Sequence, residues 1–236
     1  MARFANPIAA ALDTSDLAQA LKLAQSLKND VGLFKLGMEF FFANGATGYA
    51  AVARHGAPIF LDLKLHDIPN TVVQALNSLM MLEPRPAIVN VHASGGQDMM
   101  EAAKAAIAGR TLLIAVTVLT SLADEDLKSI GFSETIDCSG HSLALARLAK
   151  AAGLDGVVCS ALDVATIKRE LGADFLTVVP GVRPRAASTG DQKRVATPYE
   201  ARRAGADILV IGRPITRAPD PRAAARTIAK EIADAG

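Results

Sequence analysis

Ala57-Pro58-Ile59-Phe60-Leu61-Asp62-Leu63-Lys64-Leu65-His66-Asp67-Ile68-Pro69-Asn70-Thr71 begins as an interior strand and ends at the threshold of a helix. The apolar run Ile59-Phe60-Leu61 has the character of a buried strand. Side chains alternate along a strand, so Asp62 and Lys64 are expected on one face, two residues apart. Burying two charges is costly unless they are paired or put to use. An Asp-x-Lys-x-x-Asp group at the C-terminal end of a strand therefore reads as an active site. The competing reading is an ion pair that closes a layer of side chains.

The same strand-then-helix unit recurs along the chain. Candidate strands are Ile8–Asp13, Leu33–Gly37, Ile59–Lys64, Ile88–Ala93, Leu112–Leu119, Gly156–Ser160, Phe175–Pro180 and Ile208–Gly212. The helical segments are Asp16–Leu27, Phe40–His55, Thr71–Met81, Asp98–Ala108, Ser142–Ala152, Asp163–Leu171, Pro198–Ala204 and Pro221–Ala235. Ser15 or Asp16, Asn70, and Thr197-Pro198 supply start signals for the first, third and seventh helices. Gly153 and Gly205 stand where helix C-terminal glycines belong. Eight alternating units favour an α/β fold, a single (β/α)8 TIM barrel spanning residues 1–236 with its active site at the C-terminal ends of the strands. An open doubly wound sheet is the alternative, since strand count does not establish closure.

Composition narrows the function classes. The chain has 236 residues, 50% hydrophobic and 21% charged, with net charge +1. That balance offers no broad basic face for nucleic acid and no polybasic membrane anchor. Trp is absent and aromatics are 4%, which disfavours base-stacking platforms. Met1–Pro7 lacks the apolar core of a secretory signal, and no stretch has the length of a membrane span. Cys138 and Cys159 are far apart in sequence, consistent with reduced thiols in a cytoplasmic protein.

The strand ends carry the polar groups. Asp13 ends the first, Lys35 lies in the second, and Asp62 and Lys64 occupy the third. His92, Thr117 and Thr120 follow on the fourth and fifth; Gly181 leads to Arg183 after the seventh, and Ile211-Gly212-Arg213 finishes the eighth. Each has an ordinary explanation: Asp13 as a helix cap, Lys35 as a neutraliser of an internal carboxylate, His92 as a packed residue beneath the rim. Their convergence on one rim is the argument for a site. His55, His66 and His141 form no metal-binding pattern, and no metal or cofactor is expected.

Phosphate recognition has its own signal. Gly212 lets an anion approach the backbone, Arg213 brings a charged fork, and barrels often bind phosphate after strands seven and eight. Arg183–Ala196 is rich in Gly, Ser, Thr, Gln and basic residues and reads either as a lid over an anion or as a solvated loop. Gln192 within it could bridge a phosphate and a polar ring.

Taken together, these residues resemble the orotidine 5′-phosphate decarboxylase family. The likeness runs through Ala11-Leu12-Asp13 and Phe34-Lys35-Leu36-Gly37 to its most specific stretch, Asp62–Thr71. Val116–Ser121, Pro180-Gly181-Val182-Arg183-Pro184 and Ile211-Gly212-Arg213-Pro214-Ile215 complete it. The resemblance implies conversion of orotidine 5′-phosphate to UMP in de novo pyrimidine biosynthesis by a homodimer with shared sites, without a cofactor. It places Asp13 and Lys35 near the ribose and the charged network. Asp62 and Lys64 face the reacting carbon, while Asp67 and Thr71 reach the partner's site and Ile68 belongs to the substrate-binding set. Thr120 recognises the pyrimidine edge; Pro180 belongs to the substrate-binding set; Arg183, Gln192, Gly212 and Arg213 line the phosphate side. Related barrels that act on sugar phosphates share Asp-x-Lys-x-x-Asp but use a divalent ion, and the His66–Thr71 continuation with Gln192 favours the nucleotide enzyme. A non-catalytic phosphate-ligand sensor is the reading from another class, disfavoured by the intact Lys64 and its flanking carboxylates.

Overall fold

The first strand pairs with the last, Ala10 opposite Ile211, and every strand between pairs in parallel with its sequence neighbours. That closure turns the eight units into a barrel and excludes the open sheet. The computed structural model describes residues 4–107, 111–131, 135, 137–184 and 194–235. The first half contains β1 (Ile8–Ala11), α1 (Leu17–Leu27), β2 (Leu33–Gly37), α2 (Met38–Ala53), β3 (Ile59–Leu65), α3 (Pro69–Leu79), β4 (Ile88–His92) and α4 (Gln97–Ala106). The second contains β5 (Leu112–Val116), α5 (Asp124–Ser129), α6 (Cys138–Ala151), β6 (Gly156–Val158), α7 (Ala161–Leu171), β7 (Leu176–Val179), α8 (Pro198–Arg203), β8 (Ile208–Ile211), α9 (Arg213–Thr216) and α10 (Pro221–Ala233). Among the described residues no helix is long and apolar enough to cross a membrane.

The period-two pattern divides each strand between two cores. Ala9, Ala11, Leu33, Phe60, Ile88, Ile114, Leu176, Val178, Ile208 and Val210 fill the barrel interior. The alternate residues, such as Ile8, Phe34, Leu61, Val89 and Leu209, pack outward beneath the helices. Each large apolar side chain so buried stabilises the fold by about 1.5–3 kcal/mol. β6 is drawn tight against β7: a Cβ at Gly156 would lie 2.2 Å from the Leu176 carbonyl oxygen, so only glycine fits.

Helix ends follow local chemistry with one correction. Asp16 caps α1 by accepting the Ala18 and Gln19 N–H groups. Thr197 and Glu200 form a reciprocal capping box at α8. Gly153 and Gly205 adopt φ of 77° and 101°, and the N–H groups around them return to the last turns of α6 and α8. Asn70, expected to start the third helix, lies inside it; Ile68 holds the N-cap position and Pro69 opens the first turn, where a missing N–H costs nothing.

Several boundaries also differ. α6 begins at Cys138 rather than Ser142 because Asp137 caps the Gly140 N–H. α2 starts at Met38 and breaks at Gly45, whose φ is 57°. The strands containing Asp13, Leu119 and Pro180 stop before those residues, which leaves them to the rim loops. The short helices α5 and α9 were not anticipated.

Candidate active site

The site begins with an irregularity in β3. Leu61 pairs with Val89 and Leu65 with Val91, so Asp62, Leu63 and Lys64 together stand opposite Asn90 alone. The bulge is made by Lys64, whose φ of 52° puts it in the left-handed region; no other non-glycine residue described has a positive φ. Such a conformation costs on the order of 1–2 kcal/mol. Asn90 offsets it by accepting the Lys64 backbone N–H through Oδ1 at 2.8 Å, while its Nδ2 donates to Asp62 Oδ1 at 2.7 Å. Simple alternation predicts that Asp62 and Lys64 meet; they do meet, but across a bulge that a neighbouring strand holds in shape.

From there a line of alternating charge crosses the rim. Lys64 Nζ lies 2.7 Å from Asp62 Oδ1, Lys35 Nζ lies 3.4 Å from Asp62 Oδ2, and Lys35 Nζ donates to Asp13 Oδ1 at 2.8 Å. The two central side chains are the least exposed, 8% for Lys35 and 11% for Asp62, against 27% for Lys64 and 49% for Asp13 at the ends. Room for the Asp13–Lys35 pair is left by Gly37, where a Cβ would sit 2.9 Å from Asp13 Oδ1 and 3.0 Å from Lys35 Nζ.

Mutual attraction decides the protonation of this array. Burial alone would lower the Lys35 pKa, but the Asp62 and Asp13 carboxylates outweigh it and raise it above the ordinary lysine value. Burial would likewise raise the Asp62 pKa, but Lys35, Lys64 and the Asn90 amide together hold it below the ordinary carboxylate range. Both groups stay charged at neutral pH.

These residues edge a cavity of about 810 Å³ at the C-terminal mouth of the barrel. Asp13, Lys35, Asp62, Lys64, Thr120, Pro180, Arg183, Gly212 and Arg213 all line it, and Phe60, Val116, Val158 and Val210 add apolar surface. The size suits a small organic ligand. Arg183 and Arg213, from the segments after β7 and β8, bring positive charge to the lining. Arg183 is anchored by its backbone N–H to the Ala196 carbonyl at 2.9 Å, and by Nη1 to the Val182 carbonyl at 3.0 Å. Gly212 opens α9, and a Cβ there would meet Ala11 Cβ at 3.6 Å, so packing within the chain does not itself demand glycine.

Other expected positions fall elsewhere. Asp67, Ile68 and Thr71 are exposed and do not border this cavity; Asp67 Oδ1 accepts the Ile68 N–H at 2.7 Å. Gln192 lies outside the described residues. Thr117 is occupied structurally, donating to the Val158 carbonyl at 2.8 Å. His92 is half-buried with its ring 5.5 Å from that of His66; burial, then His66 and Lys64, lowers its pKa and keeps the imidazole neutral at pH 7. Among the described residues no three His, Cys, Asp or Glu side chains are grouped to hold a metal ion. Asn90 and Gly37, which support the array, carry no motif that marks them in the sequence. A polar residue inside the apolar run Ile88-Val89-Asn90-Val91 was the available signal for the first.

Comparison with known proteins agrees with this arrangement. Residues 6–228 match the family model described as Orotidine 5'-phosphate decarboxylase / HUMPS family. The chain is 54% identical over 223 residues to the orotidine 5′-phosphate decarboxylase of Novosphingobium aromaticivorans, covering 94% of this chain and 97% of that one. The corresponding protein of Rhodospirillum rubrum is 51% identical over 236 residues, with 96% and 94% covered. Among solved structures, orotidine 5′-phosphate decarboxylase from Lactobacillus acidophilus superposes with a TM-score of 0.83 at 38% identity, covering 96% of this chain and 99% of that one. A closed eight-stranded barrel, a charged strand-three motif and full-length similarity converge: the chain belongs to the orotidine 5′-phosphate decarboxylase / HUMPS family.

Proposed function

We propose that this chain, a single barrel domain, is a carboxy-lyase that converts orotidine 5′-phosphate to UMP and CO2 in de novo pyrimidine biosynthesis in the cytoplasm. The observation that carries the reading is the Asp13–Lys35–Asp62–Lys64 array at the edge of a cavity that Arg183 and Arg213 also line. The names of its full-length relatives support the same substrate.

Loss of CO2 breaks the bond between C6 and the carboxylate and leaves the electron pair on C6. The pyrimidine offers that pair no carbonyl-type sink. The Lys64 ammonium stabilises the developing charge and then donates a proton from Nζ to C6, regaining one from solvent afterwards. Asp62 keeps Lys64 in place and, beside the substrate carboxylate, disfavours the ground state. Two charges about 4 Å apart at an effective dielectric of 20 interact by roughly 4 kcal/mol, which is too little alone for a large rate enhancement. Binding energy from the phosphate at Arg183, Gln192, Gly212 and Arg213, from the base at Thr120 and Pro180, and from the ribose at Asp13 and Lys35 makes up part of the difference by fixing the reacting geometry.

The working unit is a homodimer. Asp67, Ile68 and Thr71 are exposed and outside the single-chain cavity, and Ile68 is an unusually exposed apolar residue at 66%. In this reading they complete the partner's site, where Asp67 orients Lys64.

The test is to follow the loss of orotidylate absorbance with purified protein after stringent chelation. Full activity supports the proposal and excludes a metal-assisted reaction. Binding of UMP without consumption of orotidine 5′-phosphate would indicate a sensor instead.

A further inference from the structure

Arg194 lies in the segment between β7 and α8, is not among the residues that line the cavity, and is buried in the protein. Its side chain is 10% exposed and pairs with Asp163, which is 2% exposed, through Nη1 to Oδ2 at 3.1 Å. Asp163 sits in the first turn of α7, and its other oxygen accepts the Ser139 hydroxyl of α6 at 2.8 Å. A buried ion pair is costly unless its geometry is fixed, so this one marks a place where position matters.

The remaining contacts of Arg194 run to the loop after β5. Nη2 donates to the Val118 carbonyl at 3.1 Å, and the Arg194 backbone N–H donates to the Thr120 carbonyl at 3.3 Å. Val118 and Thr120 both line the cavity. Two residues further on, Ala196 accepts the Arg183 backbone N–H at 2.9 Å, and Arg183 also lines the cavity. One short stretch of chain thus grips both the Thr120 loop and the Arg183 strand end. Among the described residues the buried Arg194 Nε has no hydrogen-bond partner, whereas its two terminal nitrogens reach Asp163 and Val118.

We propose that Arg194 is a positioning residue that sets the span between base recognition at Thr120 and phosphate recognition at Arg183. The inference rests on the nucleotide reading given above. A ligand that bridges both ends gains from the correct span, whereas a fragment that occupies one end does not. A lysine at 194 keeps the charge toward Asp163 but lacks the planar fork that reaches Asp163 and Val118 together.

The experiment compares wild type with Arg194→Met and Arg194→Lys by calorimetric titration with UMP, uridine and ribose 5-phosphate. Turnover of orotidine 5′-phosphate and thermal melting are measured alongside. We expect UMP affinity and kcat/KM to fall about tenfold or more in Arg194→Met, while uridine and ribose 5-phosphate bind within about twofold of wild type. Arg194→Lys should fall between. Fragments weakened as much as UMP would show a merely structural role, and unchanged UMP binding would remove the role altogether; either overturns the proposal. If Arg194→Met does not fold, Arg194→Lys decides by the same comparison of whole ligand with fragments. Wild type that bound none of the three would instead overturn the nucleotide reading, and the span proposal with it.

Discussion

Asn90 accepts the backbone N–H of Lys64 at 2.8 Å and, with the other end of the same amide, donates to Asp62 at 2.7 Å. One side chain on β4 therefore fixes both the unusual backbone of the lysine and the orientation of the carboxylate that the lysine touches. At 1% exposure, Asn90 is shielded from bulk solvent.

Replacing Asn90 with Ala should lower kcat by about 10–100-fold, because the proposed reacting pair loses its support while remaining present. Stability should fall by roughly 1–3 kcal/mol from the unpaired Lys64 N–H. Steady-state kinetics with a denaturant titration checks both, and a variant with unchanged kcat would make Asn90 a packing residue only.

Lys64→Ala removes the proposed charge and proton donor together. Turnover should drop at least about 10⁴-fold while circular dichroism stays that of a folded barrel, since the lysine is partly exposed and other contacts hold the rim. Near-normal turnover would defeat the assignment.

The cross-subunit role of Asp67 is tested by complementation. Lys64→Ala and Asp67→Asn homodimers should each be inactive, but each mixed dimer contains one site with both native residues. Random exchange should restore about a quarter of wild-type activity, half the dimers being hybrids with one of two sites intact. If mass spectrometry verifies exchange and no activity returns, Asp67 acts elsewhere.

Stability should depend on pH through the charged array. Asp62 is held below its ordinary value of 3.8, so its stabilising share is present above that pH and is lost as pH falls through the lower folded value. Lys35 is raised above 10.5, so its share is present below that pH and is lost as pH rises through the higher folded value. The stability difference between wild type and Asp62→Asn should therefore be widest near neutral pH and narrow in acid. A difference that stays constant from pH 7 to pH 2 would mean that folding does not shift the Asp62 pKa.

Much of this molecule could be read from residue order. The period-two apolar runs with intervening amphipathic segments identified all eight strands, and nine of the proposed site residues line one cavity. What escaped notice depends on contacts between strands. The left-handed Lys64 follows from the Asn90 amide on the next strand, and no local rule assigns a lysine to that region. Arg194 resembled any basic residue of a polar loop because Asp163 is 31 positions away. Asn70 was misjudged as a cap because a proline at the first helical turn makes a side-chain cap dispensable. Asp67, Ile68 and Thr71 are exposed and stand outside the cavity of the single chain, so its geometry assigns them no contact there.

The β3 bulge also limits how the strand-three motif can be transplanted. Grafted into another barrel without an amide at the facing β4 position, Asp62-Leu63-Lys64 would relax toward a regular strand and turn its lysine out of register. The transferable unit is a two-strand cassette, and a designer who copied only the ten consecutive residues Asp62–Thr71 would carry over the charged side chains without the part that aims them.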